Sequence, residues 1–373
     1  MTVLDDMRSL PDPPAVDGWD AVELWVGNAR SSAGFFMSCF GFGCVAYAGP
    51  ETGVRDRASY VLEQGDMRLI FTGALGPDSV ITAHHLAHGD GVKDLAWTVD
   101  DVDTAYDAAI ARGATSVRAP SSDSDEFGEV RKASFATYGE VTHTFVDRSR
   151  YSGVFGPGFR AKNLPNAAPE PVAGLTTIDH IVGNVEQGTL EQWVSFYERV
   201  MGFRQLVTFD ESQISTQYSA LRSTVVTNGE RIFMPINEPA SGLKKSQIEE
   251  YLEAYGCPGV QHIAMRTDGI ASTVAALRER GLRFMEVPDS YYLAAKARMA
   301  DVELPWEELQ RHNILVDRDD HGHLLQIFTE VVTDRPALFC EVIERHGAIG
   351  FGEGNFKALF ESFEKSQAER GNL

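Results

Sequence analysis

The chain repeats itself, and the repeat restricts its fold more than any other feature. Gly91-Val92-Lys93-Asp94-Leu95-Ala96 matches Gly259-Val260-Gln261-His262-Ile263-Ala264. The match runs without a gap through Arg112-Gly113 against Arg280-Gly281 and ends at Pro120 against Pro288. Each copy reads as a strand, an alanine-rich helix, a glycine stop and a second strand. A second correspondence sets Trp19-Asp20-Ala21 beside Ile178-Asp179-His180. Each of these segments leads into a helix ending in Gly-Phe, at Gly41-Phe42 and Gly202-Phe203. In the later helix Trp193, Phe196, Tyr197 and Val200 share one face, the spacing of a helix packed on a sheet.

At 373 residues the chain is long for one core, so two domains are expected. Ser152 to Leu175 carries Pro157, Pro165, Pro169 and Pro171 and reads as a linker. The expected division is therefore an N-terminal domain over 15–151, a linker over 152–175 and a C-terminal domain over 176–373. Hydrophobic residues make up 43% and charged residues 23%, the balance of a globular protein. A net charge of -21 argues against nucleic acid or an anionic membrane as partner, because phosphate binding needs a basic surface. Cys39, Cys44, Cys257 and Cys340 show no Cys-x-x-Cys spacing, and Cys340 reads as a buried structural thiol. Met1 to Gly18 lacks an apolar signal core, and no run approaches the roughly 20 apolar residues of a membrane span. A cytoplasmic protein is expected.

Three ionisable residues stand in strand-like apolar runs. They are His180 in Thr177-Ile178-Asp179-His180-Ile181-Val182, His262 in Gly259 to Ala264, and Glu341 in Leu338-Phe339-Cys340-Glu341-Val342-Ile343. Burying such groups is costly unless something satisfies them. Any one alone reads more readily as a hydrogen-bonded core residue. Together they match the two-histidine, one-carboxylate set of a non-haem iron(II) oxygenase. The repeat sharpens this reading. Ala21 stands where the second half has His180, and Asp94 stands where it has His262. Val141-Thr142-His143-Thr144-Phe145-Val146, the counterpart of the Glu341 region, has no carboxylate. The metal is expected in the second half, with the first half structural.

Other polar groups compete for attention. His84 and His88 have the spacing of a helical metal pair, but position 85 is His rather than the Glu of a protease helix. A solvated helix face is expected there. Asp317 to Gly322 reads as a turn, since Phe328 occupies the position where a calcium loop needs Glu. A terminal helix is expected over 355–370, with Phe356, Leu359, Phe360 and Phe363 as its apolar stripe. Glu361 and Lys365 have the spacing of a pair outside that stripe. Gly350 to Gly354 reads as a hinge-like approach to this helix, not a dinucleotide loop. Ser223, Asn237, Gln247, Gln261 and Gln326 read individually as ordinary hydrogen-bonded residues.

Taken together, several motifs of the second half resemble the 4-hydroxyphenylpyruvate dioxygenase family. They include Ile178 to Val185, Pro235-Ile236-Asn237-Glu238-Pro239, Lys244 to Ile248, Gly259 to Ala264 and Leu324 to Thr329. They continue through Glu341 to Gly347 and Gly350 to Phe356, and the terminal Arg370-Gly371-Asn372-Leu373 is similar too. The resemblance is weaker before the linker and dense after it. It implies a vicinal-oxygen-chelate fold of class α+β, with two domains of paired βαβββ modules curling into open barrels. It implies one iron(II) per chain, held by His180, His262 and Glu341. It implies conversion of 4-hydroxyphenylpyruvate and dioxygen to homogentisate and carbon dioxide, through decarboxylation, ring hydroxylation and side-chain migration. That places the chain in tyrosine and phenylalanine breakdown, as a homo-oligomer, dimer or tetramer. By similarity Gln261 and Gln326 lie beside the metal as catalytic residues. Ser223, Asn237, Gln247, Phe328, Phe351 and Phe356 line the substrate pocket, with the terminal helix as a lid. The nearest rival is 4-hydroxymandelate synthase, which uses the same substrate but hydroxylates the benzylic carbon. Synthases of that kind carry an aliphatic residue where this chain has Phe356. A non-catalytic ligand-binding protein and a zinc hydrolase are the more distant rivals.

Overall fold

The computed structural model describes residues 10–162, 174–210 and 220–372. The first half opens with β1 (Gly18–Trp25), α1 (Ala29–Phe35), β2 (Gly43–Ala48), β3 (Arg57–Gln64) and β4 (Met67–Ala74). A connecting helix, α2 (Val80–His88), leads to β5 (Gly91–Thr98), α3 (Val102–Ala111), β6 (Thr115–Asp125), β7 (Gly128–Ala136) and β8 (Thr142–Asp147). The order β6-β7-β8-β5-β1-β4-β3-β2 is two βαβββ modules side by side, joined through antiparallel β1 and β5. A short β9 (Arg160–Ala161) adds to the edge of β2.

The second half repeats the plan. It contains β10 (Leu175–Asn184), α4 (Leu190–Met201), β11 (Arg204–Phe209), β12 (Ala220–Thr227) and β13 (Phe233–Ala240). After α5 (Gln247–Tyr255) come β14 (Gly259–Thr267), α6 (Ile270–Glu279), α7 (Asp289–Arg298) and α8 (Trp306–Arg311). The last strands are β15 (Leu315–Asp319), β16 (Gly322–Phe328) and β17 (Phe339–His346), followed by α9 (Phe356–Glu369). The sheet order is β11-β12-β13-β10-β14-β17-β16-β15. The expected α+β class and paired modules are both present.

Local chemistry explains the boundaries. The helix at 36–40 and α4 stop at Gly41 and Gly202, whose φ values of 81° and 66° lie in the left-handed region that glycine enters without a Cβ clash. Helix α5 starts with a capping box. Ser246 Oγ accepts from the Glu249 N–H at 3.2 Å, and Glu249 Oε2 accepts from the Ser246 N–H at 2.7 Å. Strand β14 is almost wholly buried, as a strand covered on both faces must be. One aromatic core runs between the halves, where Trp97, Phe135 and His143 of the first meet Tyr197 and Phe203 of the second.

Several expectations need correction. Part of the expected linker belongs to the first sheet, because Arg160 pairs with Tyr47 and Ala161 with Ala46. Its residues 163–173, with Pro165, Pro169 and Pro171, lie outside the described residues, as does Leu373. The Glu361–Lys365 pair does not form. Lys365 reaches Glu286 at 2.7 Å instead, and Glu361 sits 3.9 Å from Lys357. A neighbouring carboxylate off the helix competes successfully with the one a turn away. The glycine run before α9 is pinned rather than loose. Asp319 accepts from the N–H groups of Ile349 and Gly350, both at 2.7 Å, and Asp317 from that of Gly354 at 2.8 Å. Asp317 to Gly322 is the β15–β16 hairpin, as expected. Cys340 is buried in the core. No described helix is long and apolar enough to cross a membrane.

Candidate metal centre

His180, His262 and Glu341 stand on three neighbouring strands, β10, β14 and β17. Ala264 pairs with His180 on one side and with Glu341 on the other. His262 lies two residues before Ala264 and so points to the same face. The His180 Nε2 and His262 Nε2 atoms lie 3.2 and 3.3 Å from Glu341 Oε2. All three residues are buried.

Two bulges prepare the ligands. The β10–β14 register slips between Ile178 and His180, leaving Asp179 as an extra residue, and slips again so that Gln261 is extra before His262. Adjacent strand residues normally face opposite ways. The bulges let each extra side chain turn towards the histidine that follows it. His180 Nδ1 donates to Asp179 Oδ1 at 2.8 Å, and His262 Nδ1 donates to Gln261 Oε1 at 3.0 Å. Both Nε2 lone pairs are then free to face Glu341, the arrangement of a metal-binding imidazole with its outer nitrogen held.

Asp179 is itself clamped. Arg345 grips it with Nε at 2.8 Å and Nη2 at 2.7 Å, and Arg345 Nη1 donates to the Gly350 carbonyl at 2.6 Å. Burial works against the Asp179 carboxylate, but Arg345 outweighs it and holds the group well below the usual range. Burial also opposes ionisation of Glu341, yet the two imidazoles keep its carboxyl low. Burial lowers His262, whereas Glu341 and Asp179 overcome burial at His180 and raise it to about 9. The donor set is thus two imidazoles around an ionised carboxylate, which fits a divalent transition metal.

Beside these groups lies a narrow cavity of about 60 Å³, room for a few waters at roughly 10–15 Å³ each. Of the expected pocket residues, Ser223, Asn237, Gln247, Gln261, Phe328, Phe351 and Phe356 all line it. Ser223 and Asn237 are cross-strand partners, and Gln247 Oε1 is buried without a hydrogen-bond partner among the described residues. Phe351 stands edge-on to His180 at 5.1 Å, and Phe356 edge-on to Phe209 at 5.3 Å. Gln326 is the exception: it is buried beneath Gly352 and is not among the lining residues. Gly352 has φ 79°, and a Cβ there would come within 2.5 Å of the Gln326 amide. Leu359 and Phe360 of α9 complete the wall, so the terminal helix covers the pocket.

Sequence reasoning missed Asp179, Arg345 and Phe339, whose ring stacks on His262 at 4.6 Å. The repeat held the signal for the clamp, since Asp20 and Arg148 form the matching pair in the first half. The solvated face expected at His84 and His88 is also corrected. Both are buried, and Glu140 lies against them.

The sequence profile of the Glyoxalase/Bleomycin resistance protein/Dioxygenase superfamily matches residues 18–134 and 177–327, one stretch in each half. The fold and its clustered donors are thus those of a vicinal-oxygen-chelate protein. A 4-hydroxyphenylpyruvate dioxygenase of Dictyostelium discoideum is 46% identical over 96% of this chain and 100% of its own. One from Yarrowia lipolytica is 45% identical over 95% of this chain and 93% of its own. Among solved structures, a mutant of 4-hydroxymandelate synthase from Streptomyces coelicolor superposes with a TM-score of 0.85 at 34% identity, covering 95% of this chain and all of that one. The chain belongs to the 4-hydroxyphenylpyruvate dioxygenase family.

Proposed function

We propose that the chain is an iron(II)-dependent dioxygenase that converts 4-hydroxyphenylpyruvate and dioxygen to homogentisate and carbon dioxide. The observation that carries this reading is the convergence of His180 Nε2, His262 Nε2 and Glu341 Oε2 in one buried pocket. These three residues would hold the iron, which would supply the activation of dioxygen. The substrate's 2-oxo acid provides the two further electrons, so no nicotinamide or flavin is required. Asp179 and Gln261 hold the Nδ1 sides of the two imidazoles and so aim their Nε2 nitrogens towards the site. Ser223, Asn237 and Gln247 orient the polar end of the substrate, and Phe351 and Phe356 hold its ring. Gln326 acts from behind Gly352 rather than at the cavity wall. Because the cavity is narrow, an aryl-pyruvate enters only as α9 and its Phe356 and Phe360 move, and their return excludes water. In this reading the scaffold half runs from residue 15 through the short strand at Arg160–Ala161, and the catalytic half begins with β10 at Leu175.

The test is anaerobic loading with iron and 4-hydroxyphenylpyruvate, admission of dioxygen and identification of the product. Homogentisate is expected. The likeness to 4-hydroxymandelate synthase keeps a second reading open, benzylic hydroxylation, and hydroxymandelate as main product would establish it instead. Phe356 is the residue to probe. Phe356→Ile is expected to raise the hydroxymandelate share several-fold, and an unchanged ratio removes this ring from the choice of carbon.

A further inference from the structure

The contact between the halves holds a second cluster of metal-binding side chains. His84 and His88 lie one turn apart on the inward face of α2, both buried. Glu140, in the turn between β7 and β8, spans them. Its Oε2 is 2.6 Å from His84 Nδ1, and its Oε1 is 3.5 Å from His88 Nε2. The second half closes the cluster through the end of α5. The Tyr255 carbonyl lies 2.6 Å from His88 Nδ1, and the Tyr255 hydroxyl lies 3.4 Å from His84 Nε2. Trp25 sets its ring edge-on to His84 at 5.2 Å.

The proton count is what points to a cation. A carbonyl only accepts, so the Nδ1 of His88 carries a hydrogen for Tyr255. If His88 is neutral, its Nε2 presents a lone pair to the Glu140 carboxylate. Two electron-rich atoms facing each other at the half-exposed edge of a buried histidine pair favour a positive charge between them, a proton or a metal ion. The donor atoms of His84, His88 and Glu140 all lie within 4.8 Å of one another, as do those of His180, His262 and Glu341. His88 follows the same tautomer logic as His180 and His262, an oxygen acceptor fixing the outer nitrogen and freeing the inner one, whereas His84 turns Nδ1 to Glu140 and Nε2 to the Tyr255 hydroxyl.

We propose that His84, His88 and Glu140 form a second metal site, of the kind that takes zinc(II) or a similar borderline divalent ion. Two imidazoles and a carboxylate supply three ligands, and water completes the shell from the half-exposed Glu140 side. The ion neutralises the carboxylate. It also ties α2 and the β7–β8 turn of the first half to the Tyr255 end of α5 in the second.

The test uses the full chain, stripped with chelator, equilibrated with zinc(II), desalted and analysed for metal. The unaltered chain is expected to retain about two equivalents and Glu140→Gln about one. Glu140→Gln changes a half-exposed side chain, keeping its size while removing the charge and one acceptor oxygen. A chain with His180→Ala and His262→Ala is expected to keep one equivalent and, with cobalt(II), to give a visible ligand-field band. Adding Glu140→Gln to that chain is expected to weaken cobalt binding about tenfold or more. If the double variant is folded by circular dichroism yet retains no metal, the proposal fails and the cluster is a protonated histidine clamp. If the double variant does not fold, equal metal content in the unaltered chain and Glu140→Gln is the result that overturns it.

Discussion

The two halves place different side chains on the same backbone. Strands β1, β5 and β8 of the first correspond to β10, β14 and β17 of the second, with the same neighbours and directions. Both bulges recur: Asp20 is the extra residue where the second half has Asp179, and Lys93 where it has Gln261. The clamp recurs too, with Arg148 holding Asp20 through two bonds of 2.8 Å. Yet the three ligand positions read Ala21, Asp94 and Thr144 instead of His180, His262 and Glu341. Asp94 accepts from Thr142 and Thr144 at 2.5 and 2.7 Å, a local network in place of a metal. The bulge and clamp are therefore properties of the framework, and the chemistry rests on three substitutions. The first half also keeps a roomy cavity of about 640 Å³, whereas aromatic side chains and α9 narrow the second to about 60 Å³.

The sharpest way to break this comparison is to remove matched ligand positions. His262→Ala is expected to lose the metal held with His180 and Glu341, leaving the equivalent at His84, His88 and Glu140, and to reduce turnover about a thousandfold or more. Asp94→Ala, at the matching position, is expected to leave turnover within about twofold. Oxygen uptake and metal analysis check both, and a comparable loss from Asp94→Ala would mean that the first half takes part in the chemistry.

A second pair tests the clamps. Asp179→Asn is expected to weaken metal affinity about 10- to 100-fold by loosening the hold on His180. Asp20→Asn is expected to cost stability alone, about 1–3 kcal/mol, because Arg148 loses its buried partner. Equal loss of metal from both variants would show that the clamp acts only through global stability.

A smaller effect follows from Asp94 itself. Burial pushes its carboxyl up to about 7, against the opposing bonds from Thr142 and Thr144. The unfolded chain ionises the same group near pH 4. Ionisation thus opposes folding increasingly as pH rises from that value through 7. Asp94→Asn is expected to stabilise the chain by about 1–2 kcal/mol at pH 8, discounted because the residue opens onto the wide cavity of the first half. The gain should vanish by pH 4 in denaturant titrations. A gain that is independent of pH would assign it to something other than charge.

The smallest effect concerns the lid that only the second half owns. Arg370 grips Glu250 of α5 at 3.1 and 2.6 Å, and Asn372 adds a bond of 2.7 Å to the same carboxylate. Arg370→Ala is expected to raise KM a few-fold with kcat nearly unchanged, since the helix end is freed while the ligands stay. A large fall in kcat would instead tie lid closure to the chemical step.

Much of this was legible in the chain. The repeat gave the paired modules, because a duplicated strand–helix–strand pattern preserves periodicity as side chains drift. It also marked which half lacks the triad ligands. The triad could be read because ionisable residues amid Ile, Val and Phe demand a partner. The clamp was less visible. Asp179 and Arg345 are far apart in sequence, and on a regular strand Asp179 would point away from its neighbour's face. Only the slipped register turns it towards His180. The burial of His84 and His88 was hidden for a similar reason, since the helix alone does not show that the second half covers its inward face.

The sequence by itself determined which residue types could hold a metal and which half carries the triad of His180, His262 and Glu341, because composition and spacing are local properties. The tertiary structure decided which atoms face one another. It set Nε2 rather than Nδ1 of His180 and His262 towards Glu341, placed Gln326 behind Gly352, and brought Glu140 between two histidines on another element. Those outcomes depend on strand register and on packing between distant segments, which no window of sequence encodes.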